Sequence, residues 1–376
     1  MFITDRLPDL QTKITTLALA CTLLLACEGK KAESSDNVQD PEVHVDSLEI
    51  EETFPVVASN HIRVVPTMRS VFGDSNTVHC SNVEYLWNAL MANSDIDISG
   101  NSMAKEFNQS RTWRNSMDTS KLVLAFGNPS DVYENIVHQY LTKYQIKKND
   151  LSPQGSTFWG YTDKIVNYKY AEPFDEQRLM FLGTEVSAFG FNSGFSSTYI
   201  KDHFRDQFDI LYYDADGEFV VKLIPANTTD EIILTMIKSR GTFLEMFNRS
   251  QELIKKGHDK VKQNPLLYNL NAEDELIMPV IRFRALRNYS ELQGLGFSSK
   301  YGLIGSFEQA INFSFDRKGV VLEAEVSAAD SVGAPQKPKL LHFDKPFYVY
   351  LKEKNASHPY FNLWVSDPEI LVKRKE

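Results

Sequence analysis

His342-Phe343-Asp344-Lys345-Pro346-Phe347-Tyr348-Val349-Tyr350-Leu351 lies near the C-terminus. From Phe347 onward it is aromatic, β-branched and apolar, the composition of a strand, and Pro346 opens it. Upstream, Asp316-Arg317-Lys318-Gly319 reads as a turn that closes one strand and releases the chain. A long polar segment with no periodicity joins the two. Connections longer than about 15 residues are uncommon inside compact domains and usually carry function. The chain therefore predicts a strand, an exposed functional loop and a final pair of strands.

Outward from this stretch, the strand signals dominate the second half. Residues 165–174, 185–191, 208–213, 218–224, 275–283, 310–315, 347–351 and 360–365 read as strands, with Pro279 interrupting the fifth. Asp214-Ala215-Asp216-Gly217 between two of them is a hairpin signal. Toward the N-terminus, 83–91 reads as a helix and 121–126 as a strand. A helix capped by Ser130 and running to Tyr144 carries Val132, Ile136, Tyr140 and Tyr144 on one face. Further helices are predicted over 229–238, 242–256 and, briefly, 289–295, the last stopped at Gly296. The expected fold class is α+β: one domain with several sheets and helices mostly in the N-terminal half.

The 376 residues include 42% apolar side chains, enough for a substantial core, and 24 Phe with 16 Tyr favour sheet. The net charge of −10 argues against a nucleic-acid partner, which needs a basic face.

Residues 1–27 read as an export signal rather than as part of the fold. Arg6 and Lys13 precede an apolar run over 14–26 that is shorter than the roughly 20 residues a membrane span needs. The run ends in Leu24-Leu25-Ala26-Cys27, which resembles a bacterial lipobox and marks Cys27 for lipidation. Residues 28–54 are polar and charge-rich and read as a tether, leaving 55–376 as the domain. With Cys21 in the signal and Cys27 lipidated, only Cys80 of the three cysteines remains, so no internal disulfide is expected. The expected location is the bacterial cell envelope or surface, held to a membrane by lipid.

Taken in order, the pieces between 165 and 368 resemble serpins. Val166-Asn167-Tyr168 and Pro173-Phe174 are similar to that family's central-sheet strand and following turn. Phe208 to Leu223, with Ile224-Pro225, is similar to its paired strands and the step that follows. Leu276-Ile277-Met278-Pro279-Val280-Ile281-Arg282-Phe283 resembles its proline-broken strand, and Leu292-Gln293-Gly294-Leu295-Gly296 a helix end. Phe343-Asp344-Lys345-Pro346-Phe347 is the nearest motif, with Pro359, Phe361 and Val365 after it. Two departures stand out. The family's Phe-x-Ser-Pro-x-Ser segment is not visible, and Tyr170-Ala171-Glu172 stands where a Lys-Trp step is usual.

The resemblance implies a serine- or cysteine-protease inhibitor whose exposed loop is cut and then inserts as a strand. It implies a hinge at Gly319, with Val320, Leu322, Ala324 and Val326 entering the core. Counting along the family's spacing places the vulnerable bond among Gly333, Ala334, Pro335 and Gln336. The sequence alternates as insertion requires, since Val321, Glu323, Glu325 and Ser327 form the opposite face. Leu322 and Val326 are bulkier than the small residues typical of such hinges. Gly333 and Ala334 suit an elastase-like or subtilisin-like target. The alternative is a binding or scaffold lipoprotein that keeps the fold without the trap.

No enzyme is expected. The chain has no Gly-x-Ser-x-Gly, His-Glu-x-x-His or Cys-x-x-Cys. Asp214 and Asp216 lack the further ligands of a calcium loop, Gly294 to Ser299 is no phosphate loop, and His342 reads as structural. No cofactor and no metal are called for. Arg282 and Arg284 are expected on a solvated strand face.

Overall fold

The computed structural model describes residues 55–374 apart from 56, 59, 94, 111–117, 146–158, 195, 197–198, 200–202, 215–216, 227, 238–240, 297–301 and 320–337. The expected export signal, the expected tether and Cys27 therefore lie outside the described residues, as do Val320 to Val326 and Gly333 to Gln336. All described residues belong to one compact unit.

Along the chain the strands are β1 (Ile62–Val64), β2 (Asn76–Cys80), β3 (Val123–Gly127), β4 (Trp159–Asp163), β5 (Asp175–Phe181), β6 (Thr184–Phe191), β7 (Phe208–Tyr213), β8 (Phe219–Leu223) and β9 (Glu231–Met236). Then follow β10 (Glu275–Pro279), β11 (Ile281–Asn288), β12 (Glu308–Phe315), β13 (Leu340–His342), β14 (Phe347–Lys352) and β15 (Phe361–Val365). Among the described residues the helices are α1 (Asn82–Asn93), α2 (Ser102–Gln109), α3 (Pro129–Tyr144) and α4 (Phe243–Gln263). The strands form a seven-stranded sheet ordered β1-β2-β15-β14-β9-β8-β7, a four-stranded sheet ordered β13-β10-β6-β5, and the separate pairs β11-β12 and β3-β4. This is the α+β, multi-sheet architecture expected, with α1, α2 and α3 in the first half.

The seven-stranded sheet is buried on both faces. Val349, Leu351, Leu363, Val365, Ile232 and Leu234 face the large core. Tyr348, Tyr350, Trp364 and Ile233 face α4, whose Phe243, Met246, Phe247 and Leu253 cover them. This two-sided burial explains the clearest error of sequence reading. The expected helix over 229–238 is not formed by the described residues 229–237; Glu231–Met236 is β9, paired antiparallel with both β8 and β14. A strand buried on both faces is apolar throughout and cannot be told by periodicity from a buried helix. The predicted helix over 242–256 is present and longer. Thr242 and Glu245 form a reciprocal capping box at its start. Gly257 lets it approach β7 so closely that a Cβ there would lie 1.8 Å from the Leu211 carbonyl oxygen.

Pro279 does more than interrupt a strand. β10 ends on it, and β11 starts after the single intervening residue Val280, in a different sheet. The C-terminal residues strap this crossover: Val372 N–H donates to Val280 O, and Ser187 N–H donates to Val372 O, both at 2.9 Å. The helix expected from Ser130 is capped instead by Asn128, which accepts from Ser130 N–H, with Pro129 as first helical residue. Only a 3-10 turn, Ser290–Leu292, stands where a helix over 289–295 was predicted.

Residues 165–174 are not a ladder strand either; the strand here is Trp159–Asp163. Their backbone groups bond to turns. Ala226 N–H donates to Lys169 O at 2.6 Å, Tyr170 N–H to Lys318 O at 3.3 Å and Phe174 N–H to Arg317 O at 2.9 Å. Among the described residues no helix is long and apolar enough to cross a membrane.

Candidate functional site

The described structure frames the 320–337 segment at both ends. Upstream, β12 runs into a two-residue turn. Asp316 and Gly319 form an antiparallel bridge, and Gly319 N–H donates to Asp316 O at 3.1 Å. Asp316 Oδ1 accepts the Lys318 N–H at 2.9 Å, which fixes the turn internally. Gly319 has φ +70°, and a Cβ there would stand 2.7 Å from Tyr170 N, so glycine is required on both conformational and spatial grounds. Gly319 is the one predicted hinge residue within the described chain, and it sits where the turn requires it.

Ion pairs flank this turn. Arg282 lies 3.8 Å from Asp316 and Arg317 3.3 Å from Glu176. Arg282 was expected on a solvated face; its neighbour is Asp316 because β11 pairs with β12 in the register Arg282 opposite Ser314. Arg284, two residues on, is exposed as expected.

β12 has eight residues paired with β11, and among the described residues its other edge pairs with no strand. Along it Gln309, Ile311 and Phe315 are buried, Phe313 half-buried, and Glu308, Ala310 and Asn312 exposed. Gln309 anchors the strand to the layer beneath. Its amide donates to Cys80 O at 3.0 Å and to Asn82 Oδ1 at 2.8 Å, and its carbonyl accepts from the Tyr289 hydroxyl at 2.8 Å. Cys80 beside it is a free thiol pushed up to about 11 by burial, hence unreactive.

Downstream, the described chain resumes at Pro338 and enters β13, parallel to β10. Lys339 is the anchor. Its ammonium lies 3.0 Å from Asp274 Oδ2 and donates to Asn269 O at 2.9 Å, while its backbone N–H donates to Asp274 Oδ1 at 2.7 Å. The two side chains are 4% and 0% exposed, making this an ion pair of the interior. Next to it, His342 Nε2 lies 2.7 Å from Glu275 Oε2 and joins β13 to β10, the structural role expected of it.

Sequence reading missed Asp274 and Lys339 altogether. Sixty-five residues separate them. A lysine after a proline carries no signal of burial, since lysine is almost never buried unless paired. Tyr170 was noticed only as a departure from a motif, and Gln309 not at all.

No family model matches the sequence, and no curated protein matches it. Solved structures similar to the chain are serpins. A native-state thermophilic serpin, tengpin, is 14% identical over 80% of this chain and 90% of its own, with a TM-score of 0.42. Maspin is 12% identical over 78% and 92%, with a TM-score of 0.44. A thyroxine-binding globulin in complex with thyroxine is 12% identical over 79% and 94%, with a TM-score of 0.39.

Proposed function

We propose that this chain is a serpin-like protease inhibitor, whose 320–337 segment is cut by its target and then folds back along the open edge of β12. The observation that supports this reading most is the register set by the Asp316–Gly319 bridge. Extended one step at a time, that bridge pairs Phe315 with Val320, Phe313 with Leu322, Ile311 with Ala324 and Gln309 with Val326. Residues directly opposite in an antiparallel pair share a face. The apolar set of the segment would thus join the inward face of β12, and Glu323 and Glu325 would join the exposed Asn312 and Ala310. A register one residue away would bury both glutamates. β11 occupies the other edge, so a returning chain has one edge to take.

Incubation with elastase-like and subtilisin-like serine proteases tests the reading. The expected product is a covalent complex that survives denaturing electrophoresis, with the new terminus between Gly333 and Gln336. Clean cleavage without any trapped complex, across both protease classes, would remove the inhibitory reading and favour a binding or scaffold protein.

We also propose that the mature protein is held to the cell envelope by lipid on Cys27, with 28–54 as spacer. A single acyl chain anchors only marginally, so stable attachment needs the full modification. Cys27→Ser should abolish fatty-acid labelling and move the protein to the soluble fraction. Retention with membranes, unchanged by the substitution, would rule the lipobox out.

A further inference from the structure

The loop between β5 and β6 consists of Leu182 and Gly183, with φ +47° and +86°. Two positive values in succession mark the mirror-image turn of tight hairpins, which takes Asn or Asp followed by Gly. Gly183 fits. Leucine is strained at its position, because its Cβ crowds the backbone in the left-handed region. Burial does not explain it either: Leu182 is 53% exposed, and Met180 on the adjoining strand 57%. The turn is held in place, since Leu182 N–H donates to Asp344 O at 3.2 Å. A fixed, half-exposed leucine adds little to the core and strains the turn. Such strain concentrates where a surface is used, and paired exposed apolar side chains mark the same kind of place.

Cations border this tip. Met180 pairs with Glu185 across the ladder, and two guanidiniums share that one carboxylate at long range, Arg178 at 4.0 Å and Arg374 at 3.9 Å. Exposed pairs of this kind hold their cations weakly. Lys373 bridges Val186 and lies 2.9 Å from Glu369, and Lys345 follows Asp344; both are exposed. They stand out on a chain whose net charge is −10. Apolar side chains flanked by Lys and Arg suit the boundary between headgroups and acyl chains of an anionic bilayer.

The described chain also begins near here. Val57 N–H donates to Arg284 O at 3.1 Å and Arg284 N–H to Pro55 O at 2.9 Å, on the edge of β11 away from β12. On that same edge Ile281 bridges Leu371, which leads into Lys373 and Arg374. From Ile281 to Arg284 the strand rises about 10 Å. A flexible spacer over 28–54 averages about 30 Å from end to end, so lipid on Cys27 would keep this face within reach of the membrane.

We propose that the β5–β6 tip is a membrane-contact surface: Leu182 and Met180 enter the interface of an anionic bilayer, while Arg178, Arg374, Lys345 and Lys373 meet its phosphate headgroups. The proposal rests on the lipid-anchor reading above and adds to it which face of the domain meets the membrane.

Lipidated protein on vesicles of phosphatidylcholine and phosphatidylglycerol in equal parts tests it. Leu182→Cys carries an environment-sensitive fluorophore, and burial keeps the Cys80 thiol from competing for the label. Its emission should shift to the blue on these vesicles. The same fluorophore on Leu141→Cys, at an exposed position of α3, should not shift. Arg178→Gln with Arg374→Gln should shrink the shift to its value on pure phosphatidylcholine. Leu182→Asn should melt no lower than wild type, since asparagine suits the turn. A lower melting temperature would make the leucine structural and overturn the proposal. So would an equal shift at both labelled positions. Emission at 182 that stays as in water, on protein shown by mass to carry lipid, also overturns it; the anchor reading then stands, and the tip points to a protein partner instead. Protein without lipid on Cys27 removes the anchor reading and this proposal together.

Discussion

Cutting the chain between Gly333 and Gln336 is expected to raise its melting temperature by about 8 °C. Burial of a Val or Leu side chain contributes about 1.5–3 kcal/mol, and the proposed register buries Val320, Leu322 and Val326 with the smaller Ala324. After the cost of ordering the strand, a net gain of about 5 kcal/mol is reasonable, comparable to the whole stability of many domains. Unfolding entropy near 2.1 cal/mol/K per residue converts that to about 8 °C for a domain of roughly 300 residues. The register makes the effect specific. Ala324→Asp would place a carboxylate opposite Ile311 on the buried face and should abolish the gain. Glu323→Asp, opposite exposed Asn312, should leave it whole. Calorimetry on the cleaved, purified proteins reads all three. Equal gains in both variants would refute the register, and no gain in wild type would refute insertion.

The second large effect is at the other end of the segment. Lys339→Met leaves the Asp274 carboxylate without its cation, and breaking a buried pair from one side costs about 3–5 kcal/mol. Asp274 keeps two backbone donors, the N–H groups of Lys339 and Asn271 at 2.7 and 2.9 Å, so this variant should fall at the lower end. Asp274→Leu is the harsher change. It strands the Lys339 ammonium and both N–H groups together, adding about 1–3 kcal/mol. Urea unfolding should rank them in that order, with the double variant Asp274→Leu/Lys339→Met between them. Losses under about 1 kcal/mol in both single variants would show that the pair does not fasten β13.

How much of this was legible in the sequence follows from what each signal depends on. The run from Phe347 to Leu351 announces itself by composition, and Phe347–Lys352 is indeed β14 at the centre of the largest sheet. Gly319 was legible because a positive φ has few tolerated residues. β9 was not, because Ile232, Ile233 and Leu234 are apolar on both faces and the pairing that makes them a strand comes from β8 and β14. The segment 165–174 has β composition but bonds its backbone to the turns at 226 and 317–318, partners that no local pattern encodes. The anchor at Lys339 depends on a carboxylate in a distant loop. The alternation from Val320 to Ser327 could be read directly, and the bridge between Asp316 and Gly319 adds the register proposed for it.

The order of strands in the seven-stranded sheet has a consequence for how the molecule is made. β2, from the first quarter of the chain, finds its inner neighbour in β15, and Asn76 at its start grips Ser366 and Asp367 through three hydrogen bonds. β9 likewise waits for β14. During synthesis from the N-terminus, neither half of this sheet has its central partner until nearly the last residues emerge. Early portions can gather local structure, but the cooperative core closes only at the end. The position of two late strands in the middle of the sheet thus makes closure of this core depend on the last part of the chain.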